Sequence, residues 1–170
     1  MAGNLKVLGH HSGSGAAVRA HEELFAYWAS RRDGGRLPAR AQIDPNDFKR
    51  HLPTVSLIDV RYGERRDYRL RLAGTGLYGV YGREITGMSL EDVYDQASCD
   101  YWRAQLDGVV EGRRPAVGFH SMSWRGSSHL SLLWLRLPLA SNGADVDMIL
   151  GYDVVVGGSV EERPSGIRAA

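Results

Sequence analysis

The chain has 170 residues, 43% of them hydrophobic and 24% charged, with a formal net charge of +1, which is the balance of one ordinary globular domain. Basic and acidic residues interleave, and the pairs Arg65-Arg66 and Arg113-Arg114 sit in turn-like stretches. A nucleic-acid binder's basic face is therefore not expected. The single cysteine, Cys99, excludes an intramolecular disulfide and a multi-cysteine zinc site, and no apolar run approaches the ~20 residues that span a bilayer. Residues 1–15 carry no signal-peptide pattern, so a cytoplasmic location is expected, with no membrane or nucleic-acid partner and no metal.

Taken in chain order, residues 1–15 include GHHSGSG and read as a flexible arm. Residues 16–157 read as one domain, and 158–170 as a polar tail. From Ala16 to Arg32, Val18, His21, Leu24, Phe25 and Trp28 recur at helical spacing, and Asp33-Gly34-Gly35 ends the helix. Asp44-Pro45 starts a short helix, with Asp44 as cap and Pro45 in the first turn. Thr54–Tyr62 is rich in β-branched residues, and Gly63–Arg66 turns into Asp67–Ala73, where Tyr68, Leu70 and Leu72 alternate with Arg69 and Arg71. That alternation predicts a hairpin with one wet face.

Between Gly74 and Gly87, glycines punctuate single large apolar residues, which suits short, tightly turned helices. Met88–Tyr94 reads as one more such turn. Ala97–Glu111 is a longer helix with Tyr101, Trp102, Leu106, Val109 and Val110 on its apolar stripe. Pro115–Trp124, His129–Leu139 and Val146–Val156 are three strands separated by Arg125–Ser128 and Asn142-Gly143 turns. Strands grouped around a block of helices indicate α+β, a five-stranded antiparallel sheet with helices on one face and an extra N-terminal helix.

The phrases LPAR (Leu37–Arg40), IDP (Ile43–Pro45), LP (Leu52-Pro53), YRLRLAGT (Tyr68–Thr75) and YGREITGMSLEDV (Tyr81–Val93) recur in this order. They resemble a PAS-like family of short stand-alone alphaproteobacterial proteins, formerly a domain of unknown function, over roughly Ala20 to Gly157. The resemblance implies a PAS fold, a role in bacterial signalling, and self-association. Haem-binding PAS domains generally present a histidine from the helical side, but none lies between His51 and His120. Flavin-binding blue-light sensors use a cysteine in an Asn-Cys-Arg-Phe-Leu-Gln phrase, which QASCDYW around Cys99 does not match, although a helix start could lower that thiol's pKa. No cofactor is predicted.

Ser121, Ser123, Ser127 and Ser128 lie near His120 and His129, with Asp59 or Asp153 as triad acids on paper, but serines beside a turn are ordinary turn chemistry. GTGLYGVYG lacks the parallel strand and ribose-binding acid of a dinucleotide site. What remains is a pocket between sheet and helices, with Leu72, Leu77, Tyr81, Ile85, Trp102, Leu106, His120 and Trp134 as candidate lining. Those side chains serve equally well as plain core.

The N-terminal stripe must bury against the domain's own sheet or a second copy. The strand His129–Leu139 is apolar on both faces. A homodimer through Leu24, Phe25, Trp28, Leu133, Leu135 and Leu137 is expected, with an unidentified signalling protein as further partner. The reading is a non-catalytic sensory module, possessing no catalytic residues. The alternatives are a small-molecule enzyme using the same pocket and a haem or flavin redox sensor.

Overall fold

A computed structural model describes residues 14–157; of the arm expected over 1–15, residues 1–13 lie outside the described residues and Ser14 and Gly15 belong to the first helix, and the tail expected over 158–170 lies outside them entirely. Its elements are α1 (Ser14–Ser30), β1 (Val55–Arg61), β2 (Asp67–Ala73), α2 (Leu77–Tyr81), α3 (Leu90–Val93), α4 (Gln96–Gly112), β3 (Ala116–Met122), β4 (Ser127–Leu139) and β5 (Met148–Gly157). The five strands form one antiparallel sheet in the order β2-β1-β5-β4-β3. The stretch starting at Asp44-Pro45 is 3-10 helical over Pro45–Thr54. Its Asp44 carboxylate accepts from the Asn46 amide, and Phe48 breaks the helical path (φ −136°).

The caps explain where the helices begin. Ser89 and Asp92 form a reciprocal capping box on α3, and the Asp95 carboxylate accepts from the Ser98 amide at the start of α4. Two side chains tie α4 to the β1–β2 hairpin: Arg66 forms ion pairs with Asp107 (3.0 Å) and Glu111 (2.9 Å), and Tyr68 Oη donates to Asp107 (2.5 Å).

Each face of the sheet has its own cover, which is why β4 is apolar on both sides. α2, α3 and α4 lie over one face. α1 lies over the other: Ala17 packs with Leu133 and Val156, the His21 ring meets Tyr152 edge-on at 5.1 Å, and Trp28 Nε1 donates to the Pro138 carbonyl (2.8 Å). Pro138 is tolerated in an interior strand because the β3–β4 pairing ends at Arg136, so no ladder bond is lost on that side. Of the two expected covers for the N-terminal stripe, the domain's own sheet is the one found. Leu24, Trp28, Leu133, Leu135 and Leu137 are buried within the single chain, and only Phe25 of the six remains half-buried.

The expectation for Leu72 is corrected by a β-bulge. Leu57 pairs with Leu72 and Ile58 with Leu70, so Arg71 is an extra residue with no partner. The extra residue flips the alternation. Tyr68 and Leu70 stay in the core, but Leu72 turns to the opposite face and is 45% exposed.

Candidate functional site

Between the sheet and α2–α4 lies a cavity of about 20 Å³, room for roughly one water. Ile58, Leu70 and Ser56 come to it from the hairpin side, Leu77, Tyr81 and Ile85 from α2 and the segment after it, and Trp102 and Leu106 from α4. Five of the eight residues singled out in the sequence therefore line it: Leu77, Tyr81, Ile85, Trp102 and Leu106. Leu72 does not. His120 and Trp134 stand one layer behind, His120 stacked on Tyr101 (ring centroids 4.1 Å) and edge-on to Trp102. The Trp134 indole N–H donates to Tyr101 Oη at 3.0 Å, and its ring lies over Gly118, where a Cβ would come within 2.6 Å.

The feature that the sequence reading missed is an ion pair in the middle of this apolar interior. Arg136 of β4 and Asp153 of β5, both lining the cavity, are 3% and 2% exposed, with Nη1 to Oδ1 at 2.8 Å and Nη2 to Oδ2 at 3.3 Å. Register places them. Arg136 sits opposite Gly151 and Trp134 opposite Asp153, so the pair is diagonal across neighbouring strands on one face. Gly151 leaves the slot: a Cβ there would overlap Ser56 Oγ and approach the Arg136 guanidinium at 3.2 Å. Nη1 also donates to the Leu135 carbonyl, but Nε has no acceptor among the described residues. The guanidinium lies 4.7 Å from the Trp102 ring centroid and 5.8 Å from that of Trp134. Burial by itself pulls the Arg136 pKa down; the charge and hydrogen bonds of Asp153 outweigh it, so the pKa is raised and the guanidinium stays charged. The signal was present in the sequence: single charges in LLWLRLPL and ILGYDVVVG, strands otherwise apolar on both faces.

An aromatic wall closes the cavity. Tyr81 and Tyr94 share a hydrogen bond between hydroxyls (2.8 Å). Burial, then Asp153, raises the Tyr81 pKa; burial, then the Tyr81 neighbour, raises that of Tyr94 further, so both are neutral phenols. Trp124 stacks on Tyr81 at 5.2 Å, and Trp102 stacks on Tyr94 at 5.8 Å.

The sites weighed for other chemistries are used differently. Cys99 is 4% exposed, and burial raises its pKa, opposite to the lowering that a helix start could have brought. The two triad acids are committed to arginines, Asp153 to Arg136 and Asp59 to Arg71 Nε at 2.7 Å. Among the described residues there is no cluster of three or more His, Cys, Asp or Glu placed for a metal, and no helix is long and apolar enough to cross a membrane.

A five-stranded antiparallel sheet whose helices enclose a small cavity on one face, with one more helix behind, defines an α+β domain. Residues 16–153 match the family model of the PAS domain, and the chain belongs to that family. Among solved structures it is similar to the PAS domain of a protein from Colwellia psychrerythraea, at 10% identity and a TM-score of 0.49, covering 66% of this chain and 96% of that one. It is also similar to the Rhodobacter sphaeroides LOV protein, at 15% identity and a TM-score of 0.48, covering 68% and 69%. No curated protein matches the chain significantly in sequence.

Proposed function

We propose that this protein is a non-catalytic sensory and regulatory module. It holds a small, largely apolar molecule between sheet and helices, and it reports occupancy through homodimerisation and contacts with a signalling protein. The observation that carries the proposal is the Arg136–Asp153 pair. A buried ion pair is a poor stability device, because desolvating two charges offsets most of their attraction, and well-packed apolar residues serve a core as well or better. Here the pair borders the internal space beneath α2–α4, with a guanidinium N–H left over for a further acceptor.

The buried stripe of α1 leaves a narrower surface for association. Val18 of α1 and Val117, Phe119 and Val154 of the sheet are only half-buried and adjoin one another beside Leu133 and Val156. A second copy covering that strip is the dimer proposed. The test is native mass spectrometry and an absorption spectrum of the full chain, with sedimentation velocity up to high micromolar concentration. Bound mass or colour and a dimer are expected. A monomer at every concentration ends the association half of the proposal. A bare polypeptide mass, with no thermal shift across a panel of small apolar compounds, ends the ligand half.

A further inference from the structure

We infer that the pocket selects a neutral, planar, conjugated molecule bearing hydrogen-bond acceptors, such as a ring carbonyl, and that Tyr94 fills that molecule's slot when it is absent; the inference rests on the sensory-pocket reading above. Three buried donors on the helix side of the sheet have no acceptor among the described residues: Arg136 Nε, Trp102 Nε1 and Trp124 Nε1. Guanidinium and indole nitrogens can only donate. A buried donor left unmet loses its hydration with no return; Arg136 and Trp102 line the cavity itself, and Trp124 stands behind Tyr81 and Tyr94 in its aromatic wall.

Tyr94 connects them. Its ring is stacked against Trp102 (5.8 Å between centroids, 30° between planes) and edge-on to Trp124 (5.4 Å, 77°), and it lines the cavity with Arg136. Its own backbone is extended (φ −118°, ψ 156°), a single linking residue between the end of α3 and the cap of α4, so it can turn without unwinding either helix. A flat ring in its place meets the Trp102 face as Tyr94 does. Acceptors on that ring's edge would satisfy donors that the tyrosine hydroxyl, bonded to Tyr81, leaves unmet.

Charge decides the rest. Arg136 and Asp153 already cancel, and no other ionised side chain lines the cavity. An anion would therefore enter as an uncompensated buried charge, and a cation likewise. The acceptor must be a neutral one.

Three flat probes of similar size separate these requirements: coumarin (neutral, with a lactone carbonyl), naphthalene (no acceptor) and naphthoate (anionic). Each is titrated calorimetrically into the full chain, into Tyr94→Ala and into Trp124→Phe. Coumarin is expected to bind about tenfold tighter than naphthalene, with naphthoate weakest. Tyr94→Ala should tighten both neutral probes. Trp124→Phe keeps a ring but removes a donor, and should weaken coumarin about fivefold while leaving naphthalene unchanged. Naphthoate binding tightest, naphthalene equalling coumarin, or Tyr94→Ala giving no gain overturns the inference while leaving a ligand pocket in place. No probe binding to either the natural chain or Tyr94→Ala overturns the inference and the pocket reading together.

Discussion

Replacing Asp153 by asparagine leaves the Arg136 guanidinium charged, buried and unpaired, because arginine cannot give up its proton within the working pH range. Both groups are nearly inaccessible, at 3% and 2%, so little solvent screens the loss. Breaking such a pair from one side costs about 3–5 kcal/mol, a large fraction of the roughly 5–15 kcal/mol that holds a domain together. The reverse change, Arg136→Met, behaves differently, since the stranded Asp153 can take up a proton. The folded variant then holds a proton that the unfolded chain has released above its ordinary carboxylate range. Stability must fall as pH rises, by up to about 1.4 kcal/mol per unit while that difference lasts. Arg136→Met/Asp153→Leu removes both charges and should lie within about 1–2 kcal/mol of the natural protein, on either side, at every pH. Urea unfolding of the natural chain and the three variants at pH 5 and pH 8 checks all of this, read as midpoints at constant m-value. The reasoning is refuted if Asp153→Asn costs less than about 1 kcal/mol, or if the double variant is as unstable as the worse single one. If the double variant is stable but insensitive to coumarin, the pair is kept for the pocket and not for the fold.

The bulge predicts opposite outcomes two residues apart: Leu70→Ala should cost about 2–5 kcal/mol in urea unfolding, whereas Leu72→Thr should stay within about 0.5 kcal/mol. Gly151→Ala forces a methyl onto Ser56 Oγ and against Arg136, and should destabilise by about 1–3 kcal/mol; a neutral result would mean that β1 and β5 slide apart freely. His21 of α1 is buried against the sheet with Nδ1–H donating to the Ala17 carbonyl (2.7 Å), and its pKa is lowered from 6.5, by burial first, against the opposing backbone bond of Ala17 and the charge of Asp153. The unfolded chain therefore takes up this proton first, so stability is lost as pH falls below about 6.5. A thermal-melt series should show that loss in the natural chain and less of it in His21→Gln; parallel profiles would rule His21 out as its source.

Strand and helix periodicity carried the element order, because each element here buries one face and repeats its apolar residues accordingly. The α4 stripe of Trp102, Leu106, Val109 and Val110 is buried as its spacing requires, and β2 begins and ends where the alternation does. Leu72 was misplaced because a bulge leaves no mark in a strand's own sequence. It is a property of pairing, set where β1 must meet β2 and β5 together. Arg136 and Asp153 are 17 residues apart and meet only through the β4–β5 register, so neither suggests the other in the sequence. The double-sided apolar pattern of β4 was read correctly as needing two covers, but a pattern does not say whether the second belongs to the same chain. Tyr94 was missed because a residue between two helices has no periodic phase to betray its direction.

Successive residues of β5 bring the two sides of the sheet together. Asp153 faces the cavity and bonds Arg136, while Tyr152, next in the chain, faces α1, meeting His21 at 5.1 Å and His51 at 5.4 Å between ring centroids. His51 in turn holds Glu23 of α1 at 2.9 Å, and Glu23 also pairs with Arg50. Successive side chains of a strand point to opposite faces, so neighbours in the chain serve different covers. If the proposed ligand draws on Arg136, its effect on α1 is expected to run through Asp153 and the adjacent Tyr152, and Tyr152→Leu should then uncouple ligand binding from any change in association while leaving the affinity unchanged. The ion pair of the cavity face and the ring that beds α1 thus sit on adjacent residues of one strand, Asp153 and Tyr152.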